Sequence, residues 1–281
     1  MKEHNLYRYA WYTVNGVLVL AILMVLYSIG WEYSTRRYLK GFSDAIVPLS
    51  APPEDKVEAI LAWMAHGPAR RTAGPDGSTP DRDPTETLNY NALLKVCGSA
   101  TNAFINLADS AGIEARRLLL LDSRRFAKHV SAEVLVGGRW IVVDPAFRVI
   151  LRGPDGLLLT HEQLKDPAIF AAATRNIRGY NPNYNYDLTA HIRLGRVRLA
   201  SRPLRALLDS VLPGWEDSVT VSLLAERESF AFMLVSICLL GFLALLRASL
   251  RWYGEKRLGV HTLRMREQIR RAFGAFVNTV G

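Results

Sequence analysis

Two long apolar stretches frame a patterned middle. From Trp11 to Gly30 the run is broken only by Thr13, Asn15 and Ser28, and from Ser229 to Leu246 there is no charged residue at all. Each is long enough, at ~20 residues or slightly fewer, to cross a bilayer as a helix. Tyr7, Tyr9, Trp11 and Tyr12 precede the centre of the first, and Tyr27, Trp31 and Tyr33 follow it, which suits interfacial anchoring. A cleaved signal would need a small-x-small site after Gly30, where the sequence instead reads Trp31-Glu32-Tyr33. A buried core helix is the alternative for the second stretch, but an arginine-crowded segment abuts it.

Between these stretches the periodicity changes. Pro52-Pro53-Glu54-Asp55, followed by Val57, Ile60, Leu61 and Met64, predicts a helix that stops before Gly67-Pro68. Prolines and glycines from Gly67 to Glu86 predict a mobile surface loop. A second helix is expected from about Gly98 to Ser110, burying Ala103, Phe104, Leu107 and Ala108 and stopping at Gly112, with Cys97 at its beginning. Strand-like runs follow at Arg116–Leu121, Val130–Val136 and Trp140–Val143, the last two joined by Gly137-Gly138 as a two-residue hairpin turn. Helices before strands argue for an α+β domain with an antiparallel sheet. Gly153 to Leu188 reads as loop-rich and ends in a Tyr-Asn cluster, Tyr180 to Tyr186, while Leu204, Leu207, Leu208, Val211 and Leu212 predict a short amphipathic helix.

Charge orients this arrangement. The net charge is +9, and from Arg247 onward eight basic residues stand against two acidic ones, so most of the excess lies beside the second stretch. The positive-inside rule then expects the C-terminus in the cytoplasm, and two spans return the N-terminus to the same side, although Arg36, Arg37 and Lys40 pull the other way. The expected plan is a cytoplasmic tail over 1–10, a span over 11–30, an extracytoplasmic domain over 31–228 with its core at about 52–190, a span over 229–246, and a basic cytoplasmic tail over 247–281. Leu258, Leu263, Met265, Ile269, Phe273 and Phe276 among the tail's arginines suit an amphipathic helix on anionic lipid more than a nucleic-acid partner.

The chemistry starts from cysteine usage. Of the two cysteines, Cys238 falls inside the second stretch, which leaves Cys97 without a disulfide partner and allows no paired-cysteine zinc site. An unpaired thiol is either an inert buried side chain or a reactive one. At a helix N-terminus the dipole favours thiolate, and the backbone N–H groups there can receive an oxyanion. The hairpin supplies a base. A two-residue turn sets Val136 opposite Arg139 and hence Ser131 opposite Asp144, so His129 and Asp144 share a face as diagonal neighbours ~7–8 Å apart at the backbone. His161 reads as near a helix start, and His191 has no acidic neighbour at useful spacing beyond Asp187. A metal site from His129, Asp144 and His161 lacks the paired spacing that metal chemistry favours.

Cys97-Gly98-Ser99-Ala100 opening a helix, Ala111-Gly112-Ile113-Glu114-Ala115-Arg116 after it, His129 with Glu133-Val134, and Gly138-Arg139-Trp140-Ile141-Val142-Val143-Asp144-Pro145 together resemble the bacterial transglutaminase-like superfamily, relatives of papain by fold. The resemblance covers about Val57 to Arg152. It departs at Lys95-Val96, where a glycine is common before the cysteine, and at Val130-Ser131, where an aromatic usually follows the histidine. It implies a transglutaminase-like, papain-type α+β domain, which the apolar stretches place between two expected transmembrane helices, with Cys97 attacking an amide carbonyl, His129 moving the proton and Asp144 orienting the imidazole. Asn89, Tyr90 or Asn91 are candidates for an oxyanion donor because they shortly precede the nucleophile. No cofactor is expected. Expected partners are a peptide or protein substrate, membrane lipid and envelope-complex subunits, with no nucleic acid. The alternative function is a catalytically silent binding or assembly subunit of an envelope polysaccharide or secretion machine.

Overall fold

The computed structural model describes residues 2–67, 83–91, 93–192 and 201–259. The chain divides into two compact units, one made of residues 1–30 with 232–281 and the other of Trp31–Ala231.

Each of the two apolar stretches lies inside a longer helix, most of it in the first unit. Helix α1 runs Lys2–Ile46 and helix α8 Glu228–Arg257. Both are long and apolar enough to cross a membrane, and only 11% and 17% of their most apolar segments are buried. That exposure separates them from core helices, because Leu20, Leu23 and Leu26 on one and Val235, Phe242 and Leu245 on the other face outward. The two helices run antiparallel: Tyr27 meets Phe232 edge to face, while Tyr7 at the opposite end lies against Gly254. A Cβ at position 254 would collide with the Tyr7 ring, so a glycine permits the close approach. Arg247 donates to Asn15 Oδ1 at 2.8 Å and covers the Trp11 ring, which satisfies both polar groups within the pair. Residues 260–281, with most of the basic amphipathic tail, lie outside the described residues, as do 68–82 of the expected loop.

The second unit begins with the last turns of α1. At ~1.5 Å per residue, α1 exceeds a bilayer core by roughly half its length. The surplus carries Leu39, Phe42 and Ile46 onto the domain core. Helix α2 (Pro53–His66) starts on Pro53 with Glu54 and Asp55 in its first turn and buries Val57, Ile60, Leu61 and Met64. A short helix, α3 (Pro84–Asn89), capped by the Asp83 carboxylate, replaces the end of the expected loop. The cap makes the difference, because Asp83-Pro84 is a helix-start signal that proline counting alone reads as a breaker. Helix α4 (Cys97–Ser110) is buried from Ser99 to Ala108.

Strands β1 (Ala115–Leu121), β2 (Ala127–Val136) and β3 (Arg139–Asp144) follow, with the two-residue β4 (Val149–Ile150) next in the chain. A helix that the sequence pattern does not predict, α5 (Pro167–Thr174), is capped by Asp166 and begins on proline. Then come β5 (Thr189–Ala190), α6 (Ser201–Val211) over the expected amphipathic segment, and α7 (Val219–Glu226). The sheet is antiparallel throughout, in the order β4-β3-β2-β1-β5. Gly137 and Gly138 both have positive φ, 56° and 78°, as a tight hairpin turn matched to strand twist requires, and Val136 pairs with Arg139 as expected. Helices α2 and α4 cover one face of the sheet through Ala132, Val134, Ile141 and Val143. The other face holds Leu118, Leu120 and Val142 against Phe170, Tyr180 and Tyr186.

Candidate active site

Position 97 is the first residue of α4, directly after Val96 at the N-cap. The Cys97 thiol is half-buried, and the His129 side chain and the backbone N–H groups of Gly98 and Val130 lie near enough to stabilise its thiolate. Thr101 Oγ1, one turn on, donates to the Val130 carbonyl at 3.2 Å, so the first turn of α4 is fastened to the strand that carries the histidine.

His129 lies on β2 opposite Leu120. Immediately before it the β1–β2 register slips, leaving Lys128 as an extra residue in a bulge, a distortion that re-aims neighbouring side chains. The imidazole is almost wholly buried, and its Nε2 lies 2.6 Å from Asp144 Oδ2, which leaves Nδ1 for the sulfur. Asp144 is completely buried, and its other oxygen accepts from the backbone N–H of Ala146 and of Phe147. The hairpin register therefore brings His129 and Asp144 together as expected. Burial disfavours an imidazolium, but the hydrogen bonds and charges of Asp144 and Cys97 outweigh it and raise the His129 pKa to about 9. The bond from His129 lowers the Cys97 pKa against the cost of burial, with the Gly98 and Val130 N–H groups acting in the same direction. Both directions favour a thiolate–imidazolium pair.

Aromatic rings enclose this pair. Tyr184 stacks on the imidazole at 4.4 Å between centroids and 14° between planes, and Tyr180 and Phe147 approach at 6.2 and 6.0 Å. The Tyr180 and Tyr186 hydroxyls are buried near Asp144 without a well-formed hydrogen bond, and burial pushes both phenols far above their ordinary pKa. Two guanidinium groups hold the backbone on either side of the thiol. Arg148 Nη2 donates to the Leu94 carbonyl at 3.2 Å from a residue in the left-handed region (φ 59°), and Arg117 Nη2 donates to the Gly98 carbonyl at 3.3 Å. A non-glycine residue held at positive φ stores strain that the surrounding contacts must offset.

The remaining sequence candidates lie elsewhere. Asn89 is exposed, with its amide donated to the Thr85 carbonyl at 2.9 Å. Tyr90 is buried at the end of α3, and Asn91 occupies the turn after it. His161 approaches Glu133 Oε1 at 2.5 Å through Nδ1. His191 has the acidic partners that linear spacing concealed: Nε2 is 2.8 Å from Glu133 Oε2 and Nδ1 2.7 Å from Asp217 Oδ1. Arg116, opposite Glu133 across the ladder, completes this cluster with its guanidinium on the Trp140 ring. Burial would raise the Glu133 pKa, but His161, His191 and Arg116 hold it well below the carboxylate range. The cluster ties the loops after β4 and β5 to the sheet. Among the described residues, no group of three histidine, cysteine, aspartate or glutamate side chains is arranged to hold a metal ion.

The family model for the transglutaminase-like superfamily matches residues 40–145, from the last turns of α1 to the residue after Asp144. The chain carries a transglutaminase-like domain. No curated protein and no solved structure matches the chain. The matched segment of the transglutaminase-like domain contains Cys97, His129, Asp144 and Arg117, whereas Arg148 and the Tyr180–Tyr186 segment lie beyond it. The tyrosine-asparagine cluster is visible in the sequence but carries no role there, and no motif marks either arginine. Alternating tyrosines are a signal, but their contact with the imidazole depends on how the chain returns from α5.

Proposed function

We propose that this protein is a membrane-anchored thiol acyl-transferase or hydrolase acting on peptide or protein amides. The observation that carries the reading is one buried imidazole hydrogen-bonded to a fully buried carboxylate, with the thiol at the N-terminus of α4 within its electrostatic reach. In the proposed cycle Cys97 Sγ attacks the amide carbonyl carbon, and N–H groups at the start of α4 face the developing oxyanion. His129 protonates the leaving nitrogen, the C–N bond breaks and a thioester remains. An amine or water, deprotonated by His129, then attacks the thioester and the Cys97 thiolate leaves. Asp144 keeps the imidazole oriented throughout.

Acylation by a p-nitrophenyl ester tests this without knowledge of the natural substrate. A burst of one equivalent of p-nitrophenol is expected, with the acyl group on Cys97 and released by hydroxylamine as a hydroxamate. Cys97→Ser should abolish the burst, and His129→Ala should slow it by ~10²-fold or more, the usual contribution of a positioned general base. Acylation at equal rate with or without His129 would support the silent binding subunit instead.

The proposed setting is a cytoplasmic membrane, with the domain outside and both termini inside. The antiparallel pairing of α1 and α8 supports placing both termini on one side, and the basic residues after Arg247 support the cytoplasm. Alkaline phosphatase fused after residue 281 should be inactive, while green fluorescent protein there should fluoresce. The opposite pair of results would invert the topology.

A further inference from the structure

A groove of about 700 Å³ opens beside the triad between the β1–β2 turn and the segment that follows Tyr180. It reaches the imidazole through two residues in its lining: Lys128, which directly precedes His129, and Tyr184, which stacks on it. Its volume falls within the ~300–1,000 Å³ of ordinary ligand sites. It rests on none of the groups that the acyl-transfer cycle uses.

The chemistry of its walls narrows the ligand. Among the described residues, Lys128 is the one cationic side chain in the lining, and it is paired with Asp122 at 3.4 Å. Asp122 is further engaged by the backbone N–H groups of Arg124 and Phe126. That balance does not favour a phosphate or other anion. The uncharged polar groups include Asn181, Asn183 and Asn185, beside Ser123, with apolar surface from Leu121 and Leu188 and a second carboxylate from Asp187. Asn181 uses its carbonyl to cap the Asn183 N–H, while the carboxamides of Asn183 and Asn185 have no partner among the described residues. Each carboxamide offers an acceptor beside two donors, the complement of a peptide group. The segment alternates its chemistry: Tyr180, Tyr184 and Tyr186 turn to the triad and core, and the asparagines line the groove.

We propose that the Tyr180–Tyr186 segment is the substrate-recognition element of this enzyme: Tyr180 and Tyr184 hold the catalytic imidazole, and Asn183 and Asn185 bind the backbone of a polypeptide lying in the groove. This rests on the thiol acyl-transfer reading and names the recognition site for it. One short segment thereby couples where the substrate lies to how the imidazole is held.

Three haloacetamides of increasing size test the proposal on the full chain in detergent at neutral pH, with alkylation of Cys97 followed by peptide mapping. They are iodoacetamide, N-iodoacetyl-tetraglycine amide and N-iodoacetyl-glucosamine. The peptide reagent is expected to react about tenfold faster than iodoacetamide and to saturate. Asn183→Ala with Asn185→Ala should reduce the ratio of peptide to iodoacetamide rates by about tenfold, the size of two ordinary hydrogen bonds. Because the readout is a ratio, a variant with a generally damaged thiol is normalised out. A peptide reagent no faster than iodoacetamide, while iodoacetamide labelling still depends on His129, would overturn the groove and leave the thiol chemistry standing. Preference for the glucosamine reagent would overturn the polypeptide in favour of a saccharide. Loss of the His129 dependence itself would remove the underlying reading.

Discussion

Iodoacetamide should alkylate Cys97 at neutral pH and below, well under the ~8.5 at which a free thiol ionises. His129 lowers the thiol's pKa against the cost of burial, and the thiol and Asp144 together raise the imidazole to about 9. A thiolate–imidazolium pair is therefore expected from the lowered Cys97 pKa up to about 9. Above that the imidazole loses its proton, and the stabilisation that His129 draws from its raised pKa, complete below its ordinary 6.5, is lost with it. His129→Ala leaves burial opposed only by two backbone N–H groups, so labelling should move to alkaline pH and the rate at pH 7 fall by at least ~10-fold. Asp144→Asn should weaken labelling less, since an orienting group acts through the imidazole. Cys238, inside α8, provides an internal control that should label poorly in lipid. A Cys97 that reacts only at alkaline pH, identically in wild type and His129→Ala, would end the case for a catalytic thiol.

The largest stability effect is expected at Arg227. Its side chain is almost wholly buried and donates to Asn106 Oδ1 at 2.8 Å and Asp109 Oδ2 at 2.7 Å on α4, with Glu32 Oε1 on α1 at 3.3 Å. Next to it the fully buried Glu226 pairs with Arg117, and Asn102 and Asn106 of α4 donate to its carbonyl. Glu32 is also bonded by Ser229 and Arg36. Arg227→Ala leaves the buried Asn106 Oδ1 unpaired and Glu32 with Arg36 and Ser229 alone, so it should cost ~1–3 kcal/mol. Glu32→Leu combined with Arg227→Met should recover much of that loss, because an apolar replacement of a buried ion pair escapes the desolvation cost. Thermal unfolding in detergent reads both results. A loss below ~1 kcal/mol in the single variant would show that water already solvates the network.

The ladder between β2 and β3 explains why so much of the candidate site is legible from residues alone. A strand has a side-chain period of two, and a Gly-Gly turn fixes the register, so the positions of His129 and Asp144 on one face follow from counting. Helix periodicity likewise locates α2 and α4, with Cys97 at the N-terminus of the latter. The apolar stretches are equally plain, although nothing in their composition shows that α1 continues as one helix to Ile46, because that continuation is stabilised by packing of Leu39 and Phe42 against the domain.

Sequence by itself determined what depends on neighbours along the chain: periodicity, turn chemistry, caps and the diagonal pairing across one hairpin. Tertiary structure alone decided which residues from distant segments converge. Arg148 reaches the Leu94 carbonyl across 54 residues, Glu226 meets Arg117 across 109, and His191 finds Glu133 across 58. Such contacts are set by how the chain folds back between elements, and the closure entropy of a long loop changes so slowly with its length that spacing carries almost no information about them. The ring stacked on His129 belongs to the same class, since the return of the chain after α5 brings Tyr184 there and only the assembled core holds it.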